Sequence, residues 1–172
     1  MSAQAEPKDA SNPVALFSTA AVVLAADQLA KLVALAHLSE HQSITLIPRV
    51  LHLTLVRNPG GAFGMRLPQP WGSVILIGAC AAAALVIALG HRRYAKSRGM
   101  AVLLGLIMGG ALGNLVDRLL RGGLVVDFVD LRIWPVFNIA DAAITVSVVI
   151  ILWLRVREEI NAKRNGAKAR SV

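Results

Sequence analysis

Four stretches of this 172-residue chain are apolar and long enough to cross a bilayer, at roughly 14–36, 71–89, 100–120 and 138–155. A hydrocarbon core about 30 Å thick is crossed by a helix of about 20 apolar residues. Lipid offers backbone polar groups no partner, so each stretch has to close its hydrogen bonds internally as a helix. Four spans use most of the chain and leave little for a separate soluble domain. The expected fold class is an all-α membrane protein of four transmembrane helices. Composition agrees: 56% of residues are hydrophobic, mean hydropathy is +0.62, and the charges cluster between the apolar runs. The first stretch is expected to be a retained span rather than a signal peptide. It is too long for an h-region, little positive charge precedes it in "MSAQAEPKDASNP", and no convincing cleavage pattern follows "ADQLAKLVALAH".

The net charge of +8 raises the question of nucleic acid, and its distribution points elsewhere. "HRRYAKSRG", between spans two and three, carries Arg92, Arg93, Lys96 and Arg98; after span four come Arg155, Arg157, Lys163, Arg164, Lys168 and Arg170. In a four-span protein both segments lie on one face, which the positive-inside rule makes the cytoplasm. The expected organisation is a cytoplasmic tail over 1–13, a four-helix unit over 14–155 and a basic cytoplasmic tail over 156–172. The basic runs are expected to touch anionic membrane lipid. No aromatic-interleaved motif accompanies them, so no nucleic-acid partner is expected. Cys80 is the only cysteine, can form no internal disulfide and is expected to be an inert packing residue.

Residues 37–70 leave the membrane on the outer side. "VLHLTLVRNPGGAFGM" alternates Leu51, Leu53 and Leu55 with His52, Thr54 and Val56, the period of a strand. "NPGG" is expected to turn the chain, because Pro fixes one backbone angle and Gly permits positive φ. A small extracytoplasmic β-sheet built from about 40–68 is therefore expected at the membrane surface. His37, His41 and His52 have no metal-ligand spacing and read as surface or strand residues. Trp71, opening span two, suits an interfacial anchor.

The polar residues inside the spans are more telling, since a carboxylate in hydrocarbon costs about 2.5–3.5 kcal/mol even on insertion scales. In "DQLAK", Asp27 and Lys31 are four apart and share a helical face. That pair reads equally as a structural ion pair and as one wall of a polar site. Gly105, Gly109 and Gly113 recur every four residues, a ridge that permits close helix approach. The ridge runs into "GNLVDRLLRGG", where Asn114 and Arg118 stack on one face with Asp117 beside them; Arg121 suits a polar helix end. Asp127 and Asp130 are expected in a short outer loop. Asn138 and Asp141, three apart, open span four. Counted from the cytoplasmic loops, Asn58, Asn114, Arg118, Asp127, Asn138 and Asp141 all fall at the outer end, where a merely solvated surface would favour Lys and Glu.

No GxSxG elbow, HExxH helix or P-loop is present. Two aspartates near a membrane surface remain. Carboxylates that share a site tend to hold one proton between them. One can then deprotonate water while the other donates to a carbonyl oxygen. On these grounds an aspartyl hydrolase and a proton- or ion-coupled transporter both stay open.

"DQLAK", "NPGGAF", "GGALGNLVDR", "VVDF" and "FNIADAAI" occur in the order and spacing of the lipoprotein signal peptidases, the bacterial type II signal peptidases, and the resemblance runs from about Val14 to Leu154. It implies a four-helix inner-membrane aspartic endopeptidase with a periplasmic β-cradle and both termini cytoplasmic. The implied substrates are prolipoproteins, cut just before the cysteine that bears diacylglycerol. Asp127 and Asp141 resemble the catalytic pair; Asn114, Arg118, Asn138, Asn58 and Asp27 resemble the supporting, substrate-binding residues. No metal or organic cofactor is implied, and a monomer is the expected working unit.

Overall fold

The computed structural model describes residues 12–40, 42–60, 68 and 71–170, with side chains through 165. The N-terminal tail before Asn12, His41 and most of the segment after the Asn58–Gly60 turn, including "GAF", lie outside the described residues. Four helices and three strands follow in the order α1 (Pro13–His37), β1 (Ser43–Ile47), β2 (Leu51–Asn58), α2 (Trp71–Tyr94), α3 (Arg98–Leu120), β3 (Val125–Asp130) and α4 (Ile139–Arg170). All four helices are long and apolar enough to cross a membrane.

The helix ends follow from local chemistry. Asn12 caps α1, its Oδ1 accepting from Ala15 N, with Pro13 in the first turn, where its missing N–H costs nothing. Ser97 caps α3 in the same way through Met100 N. Gly122 and Gly123 end α3 at φ 63° and 86°, a conformation that glycine adopts without strain, and Gly123 N returns to Arg118 O.

Helix α3 is the centre of the bundle, and its small residues let the neighbours approach. A Cβ on Gly105 or Gly109 would lie 2.5 or 2.6 Å from the backbone oxygens of Leu16 or Ala20 on α1. Gly113 faces the Asp27 carboxylate. Gly110, outside the four-residue ridge, sits against Ala140 O on α4. Without a strong hydrophobic drive inside lipid, this close van der Waals contact is what holds helices together.

The sheet is antiparallel in the order β1-β2-β3. The third strand corrects the reading of Asp127 and Asp130 as loop residues: both are in β3. Almost all of VVDFVD is buried, so it shows no exposed–buried alternation to read. In β2 the expected alternation is broken by a bulge between Leu53 and Val56, and the buried positions are His52 and Leu55. Val126 and Phe128 pack with Leu55, Ala34 and Leu38, tying the sheet to the C-terminal end of α1.

Helix α4 continues beyond the expected apolar span, through the basic segment that follows it, to Arg170. At 1.5 Å per residue, 32 residues reach about 48 Å, well beyond the hydrocarbon core. Exposed Arg, Glu, Lys and Ala are good helix formers, and Arg155 pairs with Glu158 one turn on.

Candidate active site

Asp127 and Asp141 reach one place from different elements. Asn58 lies opposite Val125 in the β2–β3 ladder, so Asp127 is its diagonal neighbour on the same face. Asn58 Nδ2 donates to Asp127 Oδ2 at 2.9 Å, and Asn138 Nδ2 donates to Asp127 Oδ1 at 2.7 Å. Asp141 is in the first turn of α4. Its Oδ1 accepts from Asn114 Nδ2 at 2.8 Å, and its Oδ2 faces Asn138 N at 3.4 Å. Asn138 also caps α4, since its Oδ1 accepts from Asp141 N at 2.9 Å. One fully buried asparagine therefore holds one aspartate by its side chain and the other by its backbone.

Arg118 is buried on α3. Its Nη2 donates to Gly60 O at 3.2 Å and its Nη1 to Asn114 O at 3.3 Å. Nη1 also lies 3.7 Å from Cys80 Sγ, so Cys80 borders the site rather than only filling lipid-facing space. Arg118 Nε is buried without an acceptor among the described residues. These bonds tie the guanidinium to backbone oxygens of α3 and of the turn after β2, not to either aspartate.

Asp27 lies behind the aspartates, and its pair with Lys31 combines the two readings of it. The pair is a salt bridge of 2.7 Å with both side chains fully buried. Asp27 Oδ1 also accepts from Ala140 N at 2.9 Å, supplying a second acceptor for the first turn of α4. Lys31 bridges on to Asp117 Oδ2 at 3.0 Å and donates to Asn114 Oδ1 at 3.1 Å. Asp117, read only as a neighbour of Asn114, is fully buried and accepts from Val126 N of β3, from Gln28 and from Arg121. The pair is thus both an ion pair and a wall of the site. Two carboxylates and two cations balance there, as burial demands.

Burial pushes the Asp127 carboxyl up to about 7, and the neighbouring Asp141 charge pushes the same way. The Asn58 and Asn138 amides and the Lys31 charge oppose the rise without cancelling it. A carboxyl that titrates near neutrality beside a second carboxyl can exchange a proton at physiological pH. Among the described residues no group of three His, Cys, Asp or Glu side chains could hold a metal ion. His52 instead contacts Thr45 Oγ1 across the β1–β2 pair, and His37 Nδ1 meets Val33 O.

The family model described as "Signal peptidase (SPase) II" matches residues 19–157. A lipoprotein signal peptidase of Moorella thermoacetica is 44% identical over 135 residues, covering 78% of this chain and 87% of that protein. One from Rhodococcus jostii is 40% identical over 158 residues, covering 89% and 78%. A bacterial membrane enzyme solved at 2.3 Å by the in meso method superposes with a TM-score of 0.76 at 30% identity, over 84% of this chain and 88% of that one. With the match running through all four spans and across both aspartates, the chain belongs to the signal peptidase II family.

Proposed function

We propose that this chain is the membrane peptidase that removes signal peptides from prolipoproteins, cutting just before the diacylglyceryl-modified cysteine, with Asp127 and Asp141 as its catalytic pair. The observation that carries the reading is the shared grip of Asn138 on two carboxylates from different elements. The ionised carboxylate takes a proton from water, the hydroxide attacks the scissile carbonyl, and the protonated partner donates to the carbonyl oxygen. When the tetrahedral intermediate collapses, the proton taken from water passes to the leaving amine. Arg118, whose buried Nε has no acceptor among the described residues, supports a role in holding the substrate backbone. A lipid-anchored cysteine stays at the interface, which suits a catalyst at the outer ends of α3 and α4. A transporter draws no support from a chain matched throughout to peptidases.

The direct test is cleavage by the purified protein of a precursor with and without its diacylglycerol. Only the lipidated form should be cut; equal cleavage of both would remove the lipid from the recognition argument. Activity against pH should be bell-shaped, both limbs belonging to the pair. The protonated member is lost as pH rises through the raised carboxyl, so the alkaline limb should fall near pH 7, not near 4. A rate still climbing above pH 9 would rule out an acid of this kind.

The same reading puts both ends of the chain in the bacterial cytoplasm and the site on the periplasmic side of the inner membrane, in a monomer. Asn12 N donates to Ala95 O, and Arg98 and Glu158 line one groove, which supports placing the start of α1, the α2–α3 connection and the far part of α4 at one end. Reporter fusions after Ala95 and Ala162 should read cytoplasmic and one near Gln42 external. An external signal at Ala95 would invert the site.

A further inference from the structure

Lys31 is fully buried, and three acceptors surround its ammonium: Asp27 Oδ2 at 2.7 Å, Asp117 Oδ2 at 3.0 Å and Asn114 Oδ1 at 3.1 Å. An ammonium has three protons to donate and no lone pair, so all three are used and each partner atom must be an acceptor. That requirement is trivial for the carboxylates. For Asn114 it is decisive, because an asparagine amide can present either its oxygen or its nitrogen.

We propose that Lys31 is a positioning residue for the catalytic pair: by demanding the Asn114 oxygen, it turns the Asn114 Nδ2 onto Asp141. The chain of contacts is continuous. Lys31 Nζ meets Asn114 Oδ1, Asn114 Nδ2 donates to Asp141 Oδ1 at 2.8 Å, and Asn138 Nδ2 adds a second donor to Asn114 Oδ1 at 3.2 Å. Asn138 needs no such help, because the Asp141 backbone N–H already selects its oxygen. Without Lys31, a single neutral donor, Asn138 Nδ2, would be left to select the Asn114 oxygen, and a turn of the amide would bring an acceptor against the Asp141 carboxylate.

The ammonium also acts at longer range. Asp127 is faced by Asp141 from α4, by Lys31 from α1, and by the Asn58 and Asn138 amides. Lys31 is itself faced by Asp27 on its own helix and by Asp117 on α3, which Arg121 also engages. Of these groups Lys31 is the cation that holds the Asp127 carboxyl down. Its loss should therefore move the alkaline limb of the pH profile upward, an effect that a purely structural residue would not produce.

This inference rests on the reading of Asp127 and Asp141 as the catalytic pair, so the test carries wild type and Asp127→Asn beside the new variants. Cleavage of a lipidated precursor is measured against pH for Lys31→Met and for Lys31→Met/Asp117→Asn, which removes one charge of each sign and relieves the bare carboxylates. The expected result for a folded variant is a kcat lower by roughly 10²-fold, KM little changed and an alkaline limb at higher pH. Wild-type kcat, or an unmoved limb, in a folded variant overturns the proposal. Failure of both variants to fold overturns it too, since Lys31 would then serve the fold alone. Cleavage by Asp127→Asn would instead remove the catalytic reading beneath it.

Discussion

Asp127→Asn and Asp141→Asn should each reduce cleavage of a diacylglyceryl-modified precursor by about 10³-fold or more, the scale of positioned acid–base groups. Asparagine keeps the shape of aspartate, and it can neither accept a proton from water nor share one with a partner. The fold should survive. Asp127 accepts one amide proton at each oxygen; the replacement loses one of these bonds and gains a neutral group in a buried site. The sign of the pH effect follows from the raised carboxyl. The unfolded chain ionises near the ordinary value of about 4, and the folded one near 7. Between those values the native state holds the extra proton, so the wild type loses stability as pH rises through that window. Asp127→Asn should therefore melt no lower than wild type at pH 8, while being inactive. Two aspartates that were only a structural contact would give active amide variants, and robust cleavage by the double variant would refute the aspartyl mechanism.

How much could be read from the residues alone depended on whether the signal was local. The four spans were legible because bilayer thickness imposes a length that few other structures need. Strand β3 was not, because its partner β2 lies about 70 residues upstream, and burial of both faces erases alternation. The helical course of the basic segment after the last span is hidden for a different reason. Hydropathy stops near Leu154, but helix propensity does not, and a helix in water needs no apolar run.

The candidate site shows the same division. Spacing brought Asn114 with Arg118 and Asn138 with Asp141 onto shared faces. It could not say that Asp117 turns inward, because the group that draws it in is the Val126 N–H, delivered by β3. Nor could it place Cys80 beside Arg118 or Gln28 against Gly113 O, contacts between helices that are distant in the chain. A resemblance in five ordered blocks supplied residue roles that no periodicity could, and the geometry adds which atoms face which.

Asn138 concentrates two tasks that substitution can separate, and its variants should differ sharply. Its Oδ1 caps α4 through Asp141 N, while its Nδ2 meets Asp127 Oδ1 and Asn114 Oδ1. Asn138→Ala removes both tasks. It should lower stability by about 1 kcal/mol for the cap, and by about 1–3 kcal/mol more for the buried Asp127 Oδ1, which loses its donor. Asn138→Asp keeps the cap, and a carboxylate suits a helix N-terminus. It nevertheless replaces a donor with a third acidic group beside Asp127, so the pair must take up protons at higher pH and loses its fixed geometry. Turnover should fall by roughly 10²–10³-fold, the cost of a lost preorganised donor. The folded fraction should stay close to wild type at acid pH, where the new carboxyl is neutral. Detergent melting curves and initial rates, each taken at pH 5 and pH 8, distinguish the outcomes. If Asn138→Asp turned over like wild type at both values, the amide would be a helix cap and nothing more, and the shared grip on the two aspartates would carry no catalytic weight.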